Sequence, residues 1–153
     1  MLKIGDKAPE LNLYNTEKEK VSIENFRGKN LVLFFFPLAF TGVCAKEMCI
    51  INEDYSEYQK LNAEVIGISV DSLYSLKKFK EYNNITSVTF LSDFNKKIIE
   101  SYGVVIENFP FEYEKVSKRA TFVIDKEGYI KYIEILSDTS QLPNFNKIKN
   151  KIN

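Results

Sequence analysis

The two cysteines, Cys44 and Cys49, are the side chains of this sequence best suited to nucleophilic or redox chemistry. The chain contains no histidine, which excludes Ser-His-Asp and Cys-His catalysis and most zinc sites. Two cysteines are also too few for a small secreted scaffold held together by disulfides. A reactive cysteine here must therefore be activated by arginine, by lysine or by the start of a helix.

Cys44 follows an apolar run at residues 31–36 and a short loop, and it lies in or just before the first turn of a predicted helix. Free amide N–H groups and the helix dipole favour an anion at such a position. A free cysteine with a pKa near ~8.5 is about 3% thiolate at pH 7, so full ionisation would gain at most roughly thirtyfold in rate. A fast enzyme therefore also needs groups that hold the attacked oxygen and stabilise charge on the departing oxygen.

Thr41 and Arg119 are the candidates for these groups. The Thr41 hydroxyl, three residues before Cys44, could accept from helix N–H groups or donate to the sulfur or to a substrate. Arg119 is one of two arginines in a lysine-rich chain, and it offers a planar, permanently charged fork. The alternatives are a surface ion pair for Arg119, a small buried hydrophobe for Cys44, loop punctuation for Pro37 and a capping-box acid for Glu47.

Runs of apolar, β-branched and aromatic residues predict strands buried on both faces. These runs lie at residues 31–36, 64–70 and 120–125, with a shorter candidate at residues 87–91. Residues 126–128, which end in a glycine, join the third run to residues 129–134 and predict a hairpin.

Apolar residues at steps of three and four predict helices between these strands. They span about residues 43–61, 72–82 and 95–102, and a short lysine-rich helix follows Pro143. Asp71 or Ser72 would cap the second helix, and Gly103 would end the third.

This order of elements predicts an α/β fold in which a mixed central sheet is flanked by helices. The length of the chain suits one domain over residues 1–153. Because β-α-β crossovers are right-handed, the start of the Cys44 helix should lie at the carboxyl end of the first buried strand, where sites in such folds collect.

Acidic and basic residues balance at 21 each, so no strong field would recruit nucleic acid or a membrane surface. The N-terminus lacks the layout of a signal peptide, and the longest apolar run is far shorter than the ~18 residues that span a bilayer. We therefore expect a cytoplasmic protein without nucleic-acid or membrane partners. No metal, flavin or haem motif is present, so no cofactor is expected.

The motif Pro37-x-x-x-Thr41-x-x-Cys44 resembles the active-site signature of the peroxiredoxins, the AhpC/TSA family. The loop at residues 35–44 is especially similar to the alkyl hydroperoxide reductase E-type, which is usually described as one-cysteine. Further segments resemble the family in the same order along the chain, at residues 4–9, 65–71, 91–94, 101–104 and 119–125.

This resemblance implies a thioredoxin-like sandwich and a thiol-dependent peroxidase, an antioxidant oxidoreductase that reduces hydrogen peroxide and organic hydroperoxides. Cys44 would be the peroxidatic cysteine, oxidised to a sulfenic acid. Pro37, Thr41 and Arg119 would be its active-site partners, and Glu47 would help to orient the arginine. Thioredoxin, glutaredoxin or a low-molecular-weight thiol would serve as the reductant.

The spacing Cys44-x4-Cys49 resembles that of the Q-type, or bacterioferritin-comigratory, peroxiredoxins, in which the second cysteine resolves the sulfenic acid as an intramolecular disulfide. Residues five apart on a helix lie roughly 8–9 Å apart at Cα, whereas a disulfide needs less than about 7 Å. The first turn of the helix would therefore have to unwind. The alternatives are a one-cysteine peroxidase in which Cys49 is structural, and a peroxide sensor that acts through a partner protein.

A thioredoxin-like disulfide reductase would need Cys-x-x-Cys, which this sequence lacks. It also lacks a later cysteine and the C-terminal elements associated with typical two-cysteine peroxiredoxins. We therefore expect a monomer or a homodimer rather than a decamer. The loop at residues 107–113 carries three aromatic side chains that could cover the pocket, form a dimer face or pack onto the core.

Overall fold

The computed structural model describes the whole chain, residues 1–153, as nine strands and five α-helices. The strands are β1 (Asn12–Asn15), β2 (Lys20–Ser22), β3 (Asn30–Phe35), β4 (Ala63–Ser69), β5 (Thr89–Ser92), β6 (Val105–Phe109), β7 (Tyr113–Ser117), β8 (Arg119–Ile124) and β9 (Ile130–Leu136). The helices are α1 (Gly42–Glu53), α2 (Tyr55–Lys60), α3 (Leu73–Tyr82), α4 (Lys97–Ser101) and α5 (Phe145–Ile152). None of the helices combines the length and the apolar character that crossing a membrane requires.

Seven strands form one mixed sheet in the order β2-β1-β5-β4-β3-β8-β9. Strands β3, β4 and β5 are parallel, whereas β8 runs antiparallel to β3 and β9, and β1 runs antiparallel to β5 and β2. Strands β6 and β7 form a separate antiparallel pair. The predicted α/β fold, with a mixed central sheet flanked by helices, is confirmed.

Burial on both faces of the sheet explains why β3 is continuously apolar from Leu31 to Phe35. Val32 and Phe34 pack with buried side chains of α1, α2, α3 and α5. Leu33 and Phe35 point to the opposite face and pack with α4 and the β6–β7 pair. The carboxyl ends of β3, β4 and β5 therefore meet at one edge of a fully covered sheet, and the turn that leads to Cys44 leaves from this edge.

The helix predicted over residues 43–61 is in fact two helices, α1 and α2, with a break at Asp54. The Asp54 N–H still donates to the Ile50 carbonyl at 3.0 Å, but its backbone leaves the helical region at φ −88° and ψ 5°. The Lys149 ammonium lies 2.9 Å from the Asp54 carboxylate. Side chains before and after the break enter the same core cluster, so the apolar periodicity continued across a break that it could not reveal.

The other helices lie near their predicted positions. Ser72, rather than Asp71, caps α3, because its Oγ accepts the Ser75 N–H at 3.1 Å. The third predicted helix begins later than expected because Lys96 takes the left-handed conformation at φ 65°. Gly103 follows that helix in the same conformation, at φ 70°, as its position predicted.

Strands β1, β2, β6 and β7 were not predicted. The loop expected at residues 107–113 is the turn of the β6–β7 hairpin with its flanking strand residues. Phe109 packs against the core. Phe111 and Tyr113 are 86% and 52% exposed, so the interpretation that the whole loop packs onto the core is wrong for these two rings.

Candidate active site

Strand β3, the turn at residues 36–41 and helix α1 together place Cys44. The strand ends at Phe35 and Thr41 is the N-cap residue of α1, which makes Cys44 the third residue of the helix. The Cys44 side chain is fully buried, on the face of α1 that packs against the sheet. Cys44 therefore lies in the first turn of α1, whose N–H groups lack partners within the helix, at the carboxyl edge of the sheet.

Arg119, the first residue of β8, brings its guanidinium to this sulfur. Arg119 Nη2 lies 3.2 Å from Cys44 Sγ, and Nη1 donates to Glu47 Oε1 at 2.5 Å. The third nitrogen, Nε, donates to the Thr139 carbonyl at 3.0 Å. Each of the three nitrogens thus has a partner, and this fixes the plane of the fork. The Arg119 side chain is 2% exposed, so the alternative of a surface ion pair is wrong.

Glu47 lies one turn after Cys44 on the same helix and is fully buried. Burial raises its pKa to about 7, against the opposing effect of the Arg119 charge and hydrogen bond. One carboxyl oxygen, Oε2, has no hydrogen-bond partner, which agrees with a carboxyl that is poorly stabilised as an anion. For Arg119, burial opposes the charge, but the Glu47 and Cys44 charges together raise the pKa of the guanidinium.

Thr41 does not make the helix cap that its position predicted. Its Oγ1 donates to the Leu38 carbonyl at 2.8 Å, and the hydroxyl makes no side-chain cap to α1. Because the hydroxyl proton is used inside the turn, the oxygen keeps its lone pairs free at the exposed end of the site. Pro37 is buried at the start of the same turn, and Phe40 takes the left-handed conformation at φ 66°.

Cys49 lies five residues after Cys44 on α1, and both thiols are free. It is partly buried and packs against the core cluster below the helix. Burial raises the pKa of the Cys49 thiol, and the nearby Glu53 charge raises it further. The structure therefore brings Cys44, Glu47 and Arg119 into one hydrogen-bonded group, and it leaves Cys49 outside that group.

Two contacts of this site were not predicted from the sequence. The Thr139 carbonyl that holds Arg119 is a backbone group, so no residue type could have indicated it. The Asp71 carboxylate accepts the Ala39 N–H of the turn at 2.8 Å, although the sequence suggested only a helix-capping role for Asp71. No group of three or more cysteine and carboxylate side chains lies together in a way that could hold a metal ion.

Comparison with known proteins assigns this chain to a family. The sequence model of the AhpC/TSA family matches residues 4–133. The chain belongs to the AhpC/TSA family. Peroxiredoxin Bcp of Bacillus subtilis is 36% identical over 129 residues, which cover 83% of this chain and 81% of that protein. The mitochondrial thioredoxin-dependent peroxide reductase of Rattus norvegicus is 35% identical over 127 residues, 79% of this chain and 48% of that protein.

Among solved structures, the peroxiredoxin-like protein from Aquifex aeolicus superimposes with a TM-score of 0.88 at 30% identity, over 99% of this chain and 86% of that one. This AhpC/TSA member therefore has the thioredoxin-like fold that the family resemblance implied. Membership of the family also confirms the predicted activity class, a thiol-dependent peroxidase. The similarity to Bcp agrees with the four-residue spacing between the two cysteines.

Proposed function

We propose that Cys44 is the peroxidatic nucleophile of this enzyme. Its thiolate attacks one oxygen of a hydroperoxide, an S–O bond forms and the O–O bond breaks. The departing oxygen takes up a proton and leaves as water or an alcohol, and the sulfur becomes a sulfenic acid. The observation that carries this proposal is the buried Arg119 guanidinium, whose Nη2 lies 3.2 Å from the Cys44 sulfur.

Arg119 would stabilise the thiolate before attack and the charge on the departing oxygen during it. Buried, preorganised donors of this kind contribute most where charge develops in a site closed to water. Glu47 would set the plane of the guanidinium through its 2.5 Å hydrogen bond to Nη1. Thr41, whose oxygen has free lone pairs, would accept from the hydroperoxide O–H, and Pro37 would shield the sulfur from water.

Cys49 would resolve the sulfenic acid of Cys44, forming a disulfide and releasing water. The two Cα atoms are too far apart on an intact helix, so the first turn of α1 must open. Two features support such opening. The N-terminus of α1 has no side-chain cap, and Phe40 is held in a costly conformation just before it. If Cys49 is only structural, the enzyme is a one-cysteine peroxidase.

A thioredoxin-type protein would return the disulfide to two thiols, and this part of the proposal rests on the similarity to the rat thioredoxin-dependent peroxide reductase. Glutaredoxin or a low-molecular-weight thiol would replace it in a one-cysteine cycle. Hydrogen peroxide and organic hydroperoxides are the proposed substrates. A cytoplasmic location, where thiols are kept reduced, would suit two free cysteines, and a monomer or homodimer is the proposed assembly.

The test is the rate of peroxide consumption by the reduced protein with an excess of thioredoxin and its reductase. We expect turnover in the wild type and none in Cys44→Ser. Tyr74→Phe, which changes an exposed ring on α3, is the control and should retain the wild-type rate. Peroxide turnover that survives in Cys44→Ser would refute the assignment of Cys44.

A further inference from the structure

A carboxylate from a neighbouring strand end holds the turn that leads to Cys44. Asp71 Oδ2 accepts the Ala39 N–H at 2.8 Å. The hydrogen bond from Thr41 Oγ1 to the Leu38 carbonyl is internal to the turn. The Phe36 N–H ties the start of the turn at residues 36–41 to the Ile68 carbonyl of β4 at 3.0 Å. The Asp71 carboxylate supplies the hydrogen bond that ties the middle of this turn to the edge of the sheet.

Asp71 is itself fixed by the ends of two strands. Ser69 Oγ, on β4, donates to the same Oδ2 atom at 2.6 Å, and the Asp71 N–H donates back to that hydroxyl at 3.2 Å. Ser92 Oγ, at the end of β5, donates to the Asp71 carbonyl at 2.6 Å. Ser69 is fully buried. The carboxylate is thus preorganised to receive an N–H group, and hydrogen bonds to an ionised acceptor are the stronger kind.

The turn needs such support because Phe40 is strained. A bulky residue with φ 66° keeps that conformation only where its surroundings over-determine it. Two contacts hold Phe40 in this conformation. The hydrogen bond to Asp71 fixes the preceding residue, and the Phe40 ring meets the Phe79 ring edge-on, with centroids 5.4 Å apart. Without the carboxylate, the relaxation of Phe40 would move Thr41 and the start of α1.

We propose that Asp71 is a positioning residue for the peroxidase reaction. It does not touch the substrate; it holds the Ala39 amide so that Pro37 and Thr41 stay aligned with Cys44 during attack on the peroxide. The inference rests on the proposed function of Cys44. Because a displacement of about 1 Å in a reacting group can cost roughly 10²-fold in rate, loss of this hydrogen bond should slow the reaction with peroxide.

The experiment compares two reactions of Cys44 in a Cys49→Ser background, which leaves a single thiol. The first is oxidation by hydrogen peroxide, which needs the aligned turn; the second is alkylation by iodoacetamide, which does not. We expect Asp71→Ala to lower the peroxide rate constant roughly tenfold to a hundredfold, while the alkylation rate stays within about threefold or rises. Asp71→Asn keeps an acceptor oxygen and should restore the peroxide rate to within about threefold of the parent.

Ser72→Ala is the matched control, because it removes the N-cap of α3 at the next residue without changing the Asp71 carboxylate. It should lower thermal stability but keep the peroxide rate. If Asp71→Ala does not fold, Asp71→Ser takes its place, since its hydroxyl is too short to reach Ala39. Circular dichroism and thermal unfolding establish the folded state of every variant.

Several outcomes overturn the inference. These are a peroxide rate in Asp71→Ala within twofold of the parent, an equal loss in Ser72→Ala, no recovery in Asp71→Asn, or a parallel fall in both reactions. A parent rate no faster than that of free cysteine overturns the proposed function together with this inference. A fast parent rate that Asp71→Ala leaves unchanged overturns the inference alone.

Discussion

The Nη2 atom of Arg119 lies 3.2 Å from the Sγ atom of Cys44, although the two residues are 75 positions apart in the chain. The contact is buried, so water does not compete for either group. We expect Arg119→Met to lower the rate constant for oxidation of Cys44 by hydrogen peroxide roughly 10²–10³-fold, measured by stopped-flow. Arg119→Lys should recover only part of this loss, because an ammonium cannot serve the sulfur and Glu47 with a planar fork.

The other arginine of the chain provides the control. Arg27 forms an exposed ion pair with Glu24, with side chains 37% and 55% exposed, and Arg27→Met should leave the peroxide rate unchanged. Removal of Arg119 also leaves Glu47 without its partner, so every variant must first show a cooperative unfolding transition. A folded Arg119→Met protein that reacts within fivefold of the wild type would contradict a role for the guanidinium in attack.

The sequence indicated the buried strands well and the edge strands poorly, for a physical reason. Strand β3 is buried on both faces of the sheet and is apolar from Leu31 to Phe35, which a single sequence displays directly. Strands β1 and β2 are short, partly exposed and polar. In the β6–β7 hairpin, Phe111 and Glu112 take positive φ values, where a turn signal would require glycine or asparagine.

The same distinction holds for the active site. Pro37, Thr41 and Cys44 could be named as candidates because they match one family motif, and Arg119 because it opens a separate segment that resembles the family. The direction of the Thr41 hydroxyl could not be predicted. One threonine can reach either a helix N–H group as a cap or the Leu38 carbonyl as a donor. The contact from Asp71 to Ala39 joins a side chain to a backbone amide 32 residues away, and such a pair has no signature at the amide position.

Glu47 should make the stability of the protein depend on pH. Its pKa is raised from 4.5 to about 7 because it is fully buried, so the folded state binds this proton more tightly than the unfolded state. The resulting stabilisation is fully present below pH 4.5 and is lost as the pH rises through about 7. Above that range the pair with Arg119 is fully ionic.

Urea unfolding of the wild type and Glu47→Gln between pH 4.5 and 8.5 checks this dependence. Glutamine keeps an acceptor for Arg119 but does not titrate. The wild-type free energy of unfolding minus that of the variant should fall with rising pH, by at most about 1.4 kcal/mol per pH unit, and then level off. Other carboxyls with raised pKa values, such as Asp93, cancel in this difference. Parallel curves would mean that the pKa of Glu47 does not change on folding.

Cys49 should react with oxidised Cys44 slowly at neutral pH and faster in alkali. Burial and the Glu53 charge raise the pKa of the Cys49 thiol, and the thiolate is the form that attacks an oxidised sulfur. After one equivalent of peroxide, we expect a Cys44–Cys49 disulfide in non-reducing peptide maps, with a rate of formation that rises up to tenfold per pH unit above pH 7. Glu53→Gln removes the nearby charge and should accelerate the step at fixed pH.

Cys49→Ser separates this step from the first one. The variant should consume the first equivalent of peroxide at the wild-type rate, since Cys44 and Arg119 are unchanged, but it should retain a sulfenic acid that a 1,3-dione probe can trap. Turnover with thioredoxin should then be lost, while turnover with a small thiol persists. If the wild type forms no disulfide and the Cys49→Ser variant keeps its turnover with thioredoxin, Cys49 is a core residue of a one-cysteine enzyme.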